Sequence, residues 1–244
     1  MKKFLLLLAM TAMTVVFAQA QTDDVKTLTK NAEKGDAKAQ YSLGMKYYAG
    51  EGVASNPELA FKWFEKAAAQ GNADAQTALG IQYFNGDGVA KNIHEALVRF
   101  EAAAEKKNLD AQLNLGWIYG HTDGFLDPKK SAKYYGMAAA QGDAEAQYLY
   151  GLMYLNGEGV GKDAVKASEW LRKSALQGKV EAQSALGDLY ENGKGVKLDK
   201  VEALMWYLIA RKNGDPVAEM FADSIKTGMK AAQIADAEKK AAAF

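Results

Sequence analysis

Residues 37–72 read AKAQYSLGMKYYAGEGVASNPELAFKWFEKAAAQGN, and the fold is decided there. Ala39, Gln40, Leu43, Gly44 and Tyr47 share one face at helical spacing. A Gly-x-Gly-Val turn follows at residues 50–53, where glycine reaches positive φ without a Cβ penalty. Asn56 then reads as the N-cap of a second helix, with Pro57 at the helical position that tolerates proline best. The second helix is Ala-rich and stops at Gly71, a C′ glycine. The unit is a helix, a turn, another helix and a stop.

Outward from this stretch the same unit recurs. The second alanine of Ala-x-Ala-Gln and its variants stands at 39, 75, 111, 146 and 182, at intervals of 36, 36, 35 and 36 residues. Tyr47, Tyr83, Tyr119, Tyr154 and Tyr190 form one column; Gly44, Gly80, Gly116, Gly151 and Gly187 form another. A helical glycine costs about 1 kcal/mol relative to alanine, so its recurrence implies a packing requirement. Asn92, Asp127, Asp163 and Asp199 repeat the N-cap of Asn56. A lone hairpin cannot bury its apolar face, whereas stacked hairpins build one continuous core. The spacing therefore predicts an all-α solenoid of tandem helix-turn-helix repeats at 37–72, 73–108, 109–143, 144–179 and 180–216. Residues 21–36 read as an N-terminal capping helix, because 25–36 align with 61–72. Residues 217–244 read as C-terminal capping helices: 217–226 is a decayed first helix, and 230–244 sets Ile234, Ala237, Ala241 and Phe244 on one side.

These columns resemble the Sel-1-like repeat (SLR) family, a relative of the tetratricopeptide repeat. The matching pattern is Ala-x-Ala-Gln-x-x-Leu-Gly-x-x-Tyr, then Gly-x-Gly-Val, Asn/Asp, Lys/Glu-Ala-x-x-Trp and Lys-Ala-Ala-x-x-Gly, with Trp63, Trp170 and Trp206 in the tryptophan place. The second repeat departs with Arg99 for Trp and Lys107-Asn108 for the terminal glycine, the asparagine being suited to the left-handed turn. The third has Thr122 and Phe125 in its turn and lacks one residue before Asp127, which makes residues 120–126 the expected irregularity. The resemblance implies a right-handed α/α superhelix serving as a scaffold or adaptor. Exported members resemble envelope-assembly factors, secreted host-interacting proteins, and immunity proteins that neutralise secreted phospholipase toxins. Relatives with a β-lactamase label are cysteine-rich; this chain has no cysteine, so that activity does not carry over.

Composition narrows the function classes. The 244 residues hold 30 Lys+Arg and 30 Asp+Glu, a balance that gives no broad field for nucleic acid or an anionic membrane. Lys2 and Lys3, the apolar run at 4–17 and Ala18-Gln19-Ala20 together read as a signal peptide over 1–20, cut after Ala20. The mature protein is then expected in the periplasm or secreted, with no membrane insertion after cleavage. The absence of cysteine excludes disulfides, an N-terminal lipidated cysteine and thiolate metal sites.

Catalytic motifs are thin. His94-Glu95 lacks the second histidine of a zinc-binding helix, and His121 reads as a turn residue. The Gly-x-Gly turns follow helices rather than strands, and none ends in Lys-Ser/Thr as a phosphate loop does. No catalytic, cofactor-binding or metal-ligating residue is assigned, and no enzyme is expected.

A partner would meet the first helices on the side opposite Ala39, Leu43 and Tyr47. Positions 41, 45 and 48 and their equivalents give a mostly apolar, aromatic track, from which Tyr41, Met45, Ile81, Phe84, Trp117, Tyr148 and Leu152 are the candidates for a concave groove that takes a protein or peptide. The competing reading packs some of them between adjacent repeats. The functional expectation is a non-catalytic interaction scaffold of the cell envelope. The alternatives are a periplasmic immunity protein and, third, an enzyme acting on cell-wall material or β-lactams.

Overall fold

A computed structural model describes residues 25–244; the predicted leader at 1–20 lies outside the described residues. These residues form thirteen α-helices and no strand, an all-α helical-repeat solenoid. The helix α1 (Val25–Glu33) comes first. Five hairpins follow: α2 (Ala37–Ala49) with α3 (Pro57–Ala69), α4 (Ala73–Asn85) with α5 (Ile93–Glu105), α6 (Leu109–His121) with α7 (Pro128–Ala140), α8 (Ala144–Asn156) with α9 (Ala164–Leu176), and α10 (Val180–Asn192) with α11 (Lys200–Lys212). Helices α12 (Ala218–Lys226) and α13 (Ala231–Ala242) end the chain. Every hairpin helix is 13 residues long. The helices sort into two compact units, one ending at Trp117 and the other spanning Ile118–Phe244.

Local chemistry sets the boundaries of these helices. Asn56, Asn92, Asp127, Asp163 and Asp199 each accept from a backbone N–H in the first turn of a second helix. Asp36, Asn72 and Asp143 do the same for first helices, a column the sequence reading passed over. Losing one such cap costs about 0.5–2 kcal/mol. Lys107, not Asn108, takes the left-handed conformation, at φ 63°. Asn108 instead caps α6, accepting from Ala111 N at 2.9 Å, because the residue after a C′ position is already the next N-cap. The helix also runs through His121, so the irregular connection begins at Thr122, one residue beyond the expected turn histidine.

The glycine column inside the first helices makes room for large side chains. A Cβ on Gly44 would lie 2.6 Å from the Phe64 ring, and one on Gly80 2.7 Å from Phe100. Gly187 faces Tyr207 in the same way, at 2.6 Å. Each pair brings an aromatic ring of the second helix against the bare backbone of the first, close enough that alanine would overpack the site. The turn glycines stack the repeats. At φ 71°, Gly159 sets its backbone against the Pro128 carbonyl at the start of α7, and Gly88 does likewise against Pro57 and Glu58 at the start of α3.

In the first unit, α1 supplies Leu28 and Ala32 to a core shared with Ala39 and Leu43, with Tyr47 and Trp63 packed against it. Phe64 and Leu79 join Met45 and several alanines in the next layer. In the second unit, residues 203–210 of α11 are buried throughout. Helix α13 lays Ala237 and Ala241 on that core and sets the Phe244 ring edge-on to Trp206, with centroids 5.4 Å apart. Lys240 Nζ bonds the Glu202 carboxylate at 2.9 Å along the same seam.

Candidate functional site

The candidate residues lie on first helices, and each unit is described by itself. In the first unit Met45 is buried among Ala60, Phe64 and Leu79. Tyr41, Ile81, Phe84 and Trp117 are half-buried. Tyr41 packs against Phe64 with ring centroids 5.8 Å apart, and Phe84 meets Trp117 edge to face at 6.1 Å. Thr77, in the same column as Tyr41, is buried and bonds Asn108 Oδ1 through its hydroxyl at 3.0 Å. In the second unit Tyr148, Leu152 and Leu155 are half-buried against the large core cluster.

Polar groups border these side chains. Tyr48 Oη donates to Asp87 Oδ2 at 3.0 Å, and Asn85 Nδ2 donates to the same oxygen at 3.1 Å. Burial, then the Asp87 charge, holds the Tyr48 hydroxyl far above the ordinary tyrosine range. Tyr41 is raised likewise, first by burial and then by Asp74 and Asp110. Asp74 accepts from Asn108 Nδ2 at 2.8 Å. In the second unit Lys179 occupies the N-cap place of α10 without making a side-chain cap. It bonds Glu145 at 2.5 Å and Glu181 at 3.1 Å, and its ammonium stands 5.7 Å from the Tyr148 ring centroid.

A second set of polar side chains is structural, and the sequence reading did not see it. In four of the five repeats the glutamine after the second alanine turns back to a carbonyl of the preceding helix. Gln40, Gln112, Gln147 and Gln183 donate to Ala32, Ala104, Ala139 and Ala175 at 2.9–3.2 Å. The next helix end then supplies an amide to the same glutamine: Gln70 to Gln40 and Gln177 to Gln147 at 2.8 Å, Asn213 to Gln183 at 3.0 Å. The signal was present as a Gln/Asn column thirty residues on, at 70, 177 and 213. Lys106 occupies that place in the second repeat and bonds the Gly71 carbonyl instead, at 2.6 Å. Gln76 Oε1 is left buried without a hydrogen-bond partner.

His94 and His121 are exposed. Among the described residues no cluster of His, Asp or Glu is arranged to hold a metal ion, and no helix is long and apolar enough to cross a membrane.

Comparison with known proteins agrees with the repeat columns. The family model described as "Sel1 repeat" matches residues 37–72, 73–108, 109–143, 144–179 and 180–215. Among solved structures, the chain is similar to a protective antigen of uropathogenic Escherichia coli with an SLR fold, at 35% identity and a TM-score of 0.75. That match covers 89% of this chain and 47% of the antigen, so the chain spans about half the length of that relative. It is also similar to a Sel1 repeat protein from Oxalobacter formigenes at 33% identity and a TM-score of 0.70, covering 89% and 87% of the two chains. No curated protein matches the chain. Sel1 repeat proteins are generally non-catalytic scaffolds and typically bind proteins. With five repeats matched over residues 37–215, this chain belongs to the Sel1 repeat family.

Proposed function

We propose that the chain is an exported, non-catalytic adaptor of the cell envelope that holds a protein or peptide on the first-helix faces of its repeats. The observation that carries this reading is a division of labour along each first helix. The constant columns, such as Ala39, Leu43 and Gly44, are buried in the stack. The variable columns leave Tyr41, Ile81, Phe84 and Trp117 half-exposed in the first unit, and Tyr148 and Leu152 in the second. Aromatic and aliphatic side chains kept partly in water favour recognition, because tyrosine and tryptophan bring large contact area at little entropic cost. Export rests on the leader-like residues 1–20.

The test is affinity capture from a periplasmic extract with the full mature chain, read by mass spectrometry. Ile81→Ala and Trp117→Ala are run beside the parent chain, with thermal melts on each. Selective loss of a captured protein at unchanged melting temperature supports the reading. Unfolding with no selective loss places these side chains in the core and refutes it.

A further inference from the structure

The neutral total charge of the chain hides a division by helix within the second unit. Helices α7 and α9 carry Lys129, Lys130, Lys133, Lys166, Arg172 and Lys173 against a single acid, Glu169. All six cations are exposed. The first helices of the same unit, α8 and α10, carry four acids and no base. In the first unit the second helices α3 and α5 hold three bases and five acids, so the basic pair is not a property of the repeat. Asp127 and Asp163 lie at the N-caps of α7 and α9, against the positive helix ends, and Asp163 also reaches Lys166 at 3.5 Å. With Glu169 counted, six cations still stand against three carboxylates.

Aromatic rings seat four of these lysines. Lys130 stands 4.7 Å from the Tyr119 ring centroid, Lys133 5.0 Å from Tyr134, Lys166 5.4 Å from Tyr154 and Lys173 4.0 Å from Trp170. A ring face attracts an ammonium without cancelling its charge, so these cations are placed but not neutralised. The two helices start at equivalent places in successive repeats, and the Gly159 turn before α9 lies against the Pro128 carbonyl at the start of α7, which joins them into one side. Aliphatic side chains stand out among the cations there. Leu126 just before α7, Val165 in the first turn of α9 and Leu176 at its end are 59%, 56% and 54% exposed. Val165, Arg172 and Leu176 share one helix face by their spacing.

Exposed aliphatic residues among lysines suit one anionic partner above the others. A soluble acidic chain would leave them in water or meet them with charge. A bilayer instead takes the lysines at its headgroups and the aliphatic side chains at the acyl boundary. We infer that the α7 and α9 side of the second unit binds peripherally to an anionic phospholipid surface, its lysines and Arg172 on the lipid phosphates and Leu126, Val165 and Leu176 at the acyl boundary. The inference does not use the first-helix faces, which belong to the other helix of each hairpin.

The test sediments the full mature chain with vesicles of phosphatidylglycerol and, separately, of phosphatidylcholine. Binding to phosphatidylglycerol is expected to be at least about tenfold tighter, and to weaken as salt is raised. The triple variant K129Q/K133Q/K173Q should lose at least about tenfold in that affinity. K34Q/K38Q/K62Q removes as many lysines from the first unit and should lose less than about twofold. K129Q, K133Q and K173Q are measured singly if the triple variant melts early. Because the chain has no cysteine, Leu176→Cys takes a single environment-sensitive fluorophore. Its emission should shift to the blue on phosphatidylglycerol vesicles, and the same fluorophore at Val98→Cys on α5 should not shift.

Equal binding to both lipids overturns the inference, as does full binding by K129Q/K133Q/K173Q or an equal loss in K34Q/K38Q/K62Q. An unshifted fluorophore at position 176 leaves a contact of charges without a bilayer and overturns it too. Retention on immobilised polyglutamate as strong as on phosphatidylglycerol makes the occupant an acidic polypeptide, which is the remaining way for it to fail.

Discussion

The two units use the same columns to build their hairpins and depart from one another where those columns stop. In the first unit Gly44 and Gly80 face Phe64 and Phe100, beside Leu43 and Leu79. In the fourth repeat the volumes are exchanged: Tyr150 replaces the leucine and Leu171 replaces the ring. Gly136 accommodates the larger residue, since a Cβ there would lie 2.9 Å from the Tyr150 ring. Each bulky side chain is matched by its own glycine, Phe100 by Gly80 and Tyr150 by Gly136, so large and small residues are placed as pairs. Charge is handled in the same two ways in both units: tyrosine hydroxyls hold Asp87 and Glu191, and lysines hold Glu51 and Glu145. Constant columns encode stacking, and the variable columns between them are where a partner can be specified.

The largest effect should come from the stacking glycines, which are alike in both units. Gly88→Ala and Gly159→Ala combine a positive φ with a Cβ driven into the backbone of the preceding repeat. Each is expected to lose about 3–5 kcal/mol of unfolding free energy in urea. Gly124, at φ 80° with open space around its Cβ position, is the control and should lose only about 1–2 kcal/mol as alanine. Similar losses at all three would remove the stacking contact from the account.

The volume exchange gives the next effect. Gly80→Ala should cost about 1–3 kcal/mol, and Phe100→Leu in the same chain should recover part of it. In the second unit the matching rescue is Gly136→Ala with Tyr150→Leu. Strictly additive losses in either double mutant would show that ring and glycine are not coupled.

Lys106→Gln should sharpen the contrast in the glutamine ladder by giving the buried Gln76 Oε1 its missing donor. A gain of about 1 kcal/mol in unfolding free energy is expected, and no gain would mean that Gln76 is satisfied in another way.

The smallest effect is electrostatic. Burial raises the Glu181 pKa, but hydrogen bonding and the Lys179 charge outweigh it and leave the value below its ordinary range. A lowered folded pKa contributes stability that is present above the unfolded value and lost as pH falls through the folded one. Lys179→Met should therefore cost about 0.5 kcal/mol at neutral pH, and the difference should vanish below the ordinary carboxylate range. A difference that persists in acid would assign the effect to packing over Tyr148.

Much of the fold was legible because repetition amplifies weak signals. Asn56 alone is a modest cap, but five equivalents in register leave no other reading. The glycine column announced a close approach, though not that aromatic rings fill it. Asn108 was misplaced because its own left-handed propensity was weighed before the capping role set by the following helix. The glutamine ladder escaped because its partners are thirty residues apart and polar, where periodicity reports only apolar burial. The candidate face was legible as a set of positions. Its depth was not: Met45 and Ile81 occupy the same column, yet Met45 is buried beneath Phe64 and Ile81 is half-exposed.

The most direct test of a first-helix docking face is site-specific photo-crosslinking. A benzophenone side chain is placed at Phe84 on α4 or at Val98 on the exposed side of α5, in otherwise unaltered mature chains, and each is irradiated in periplasmic extract. The account predicts a discrete adduct from position 84 and none from position 98. An adduct from position 98 alone would contradict it.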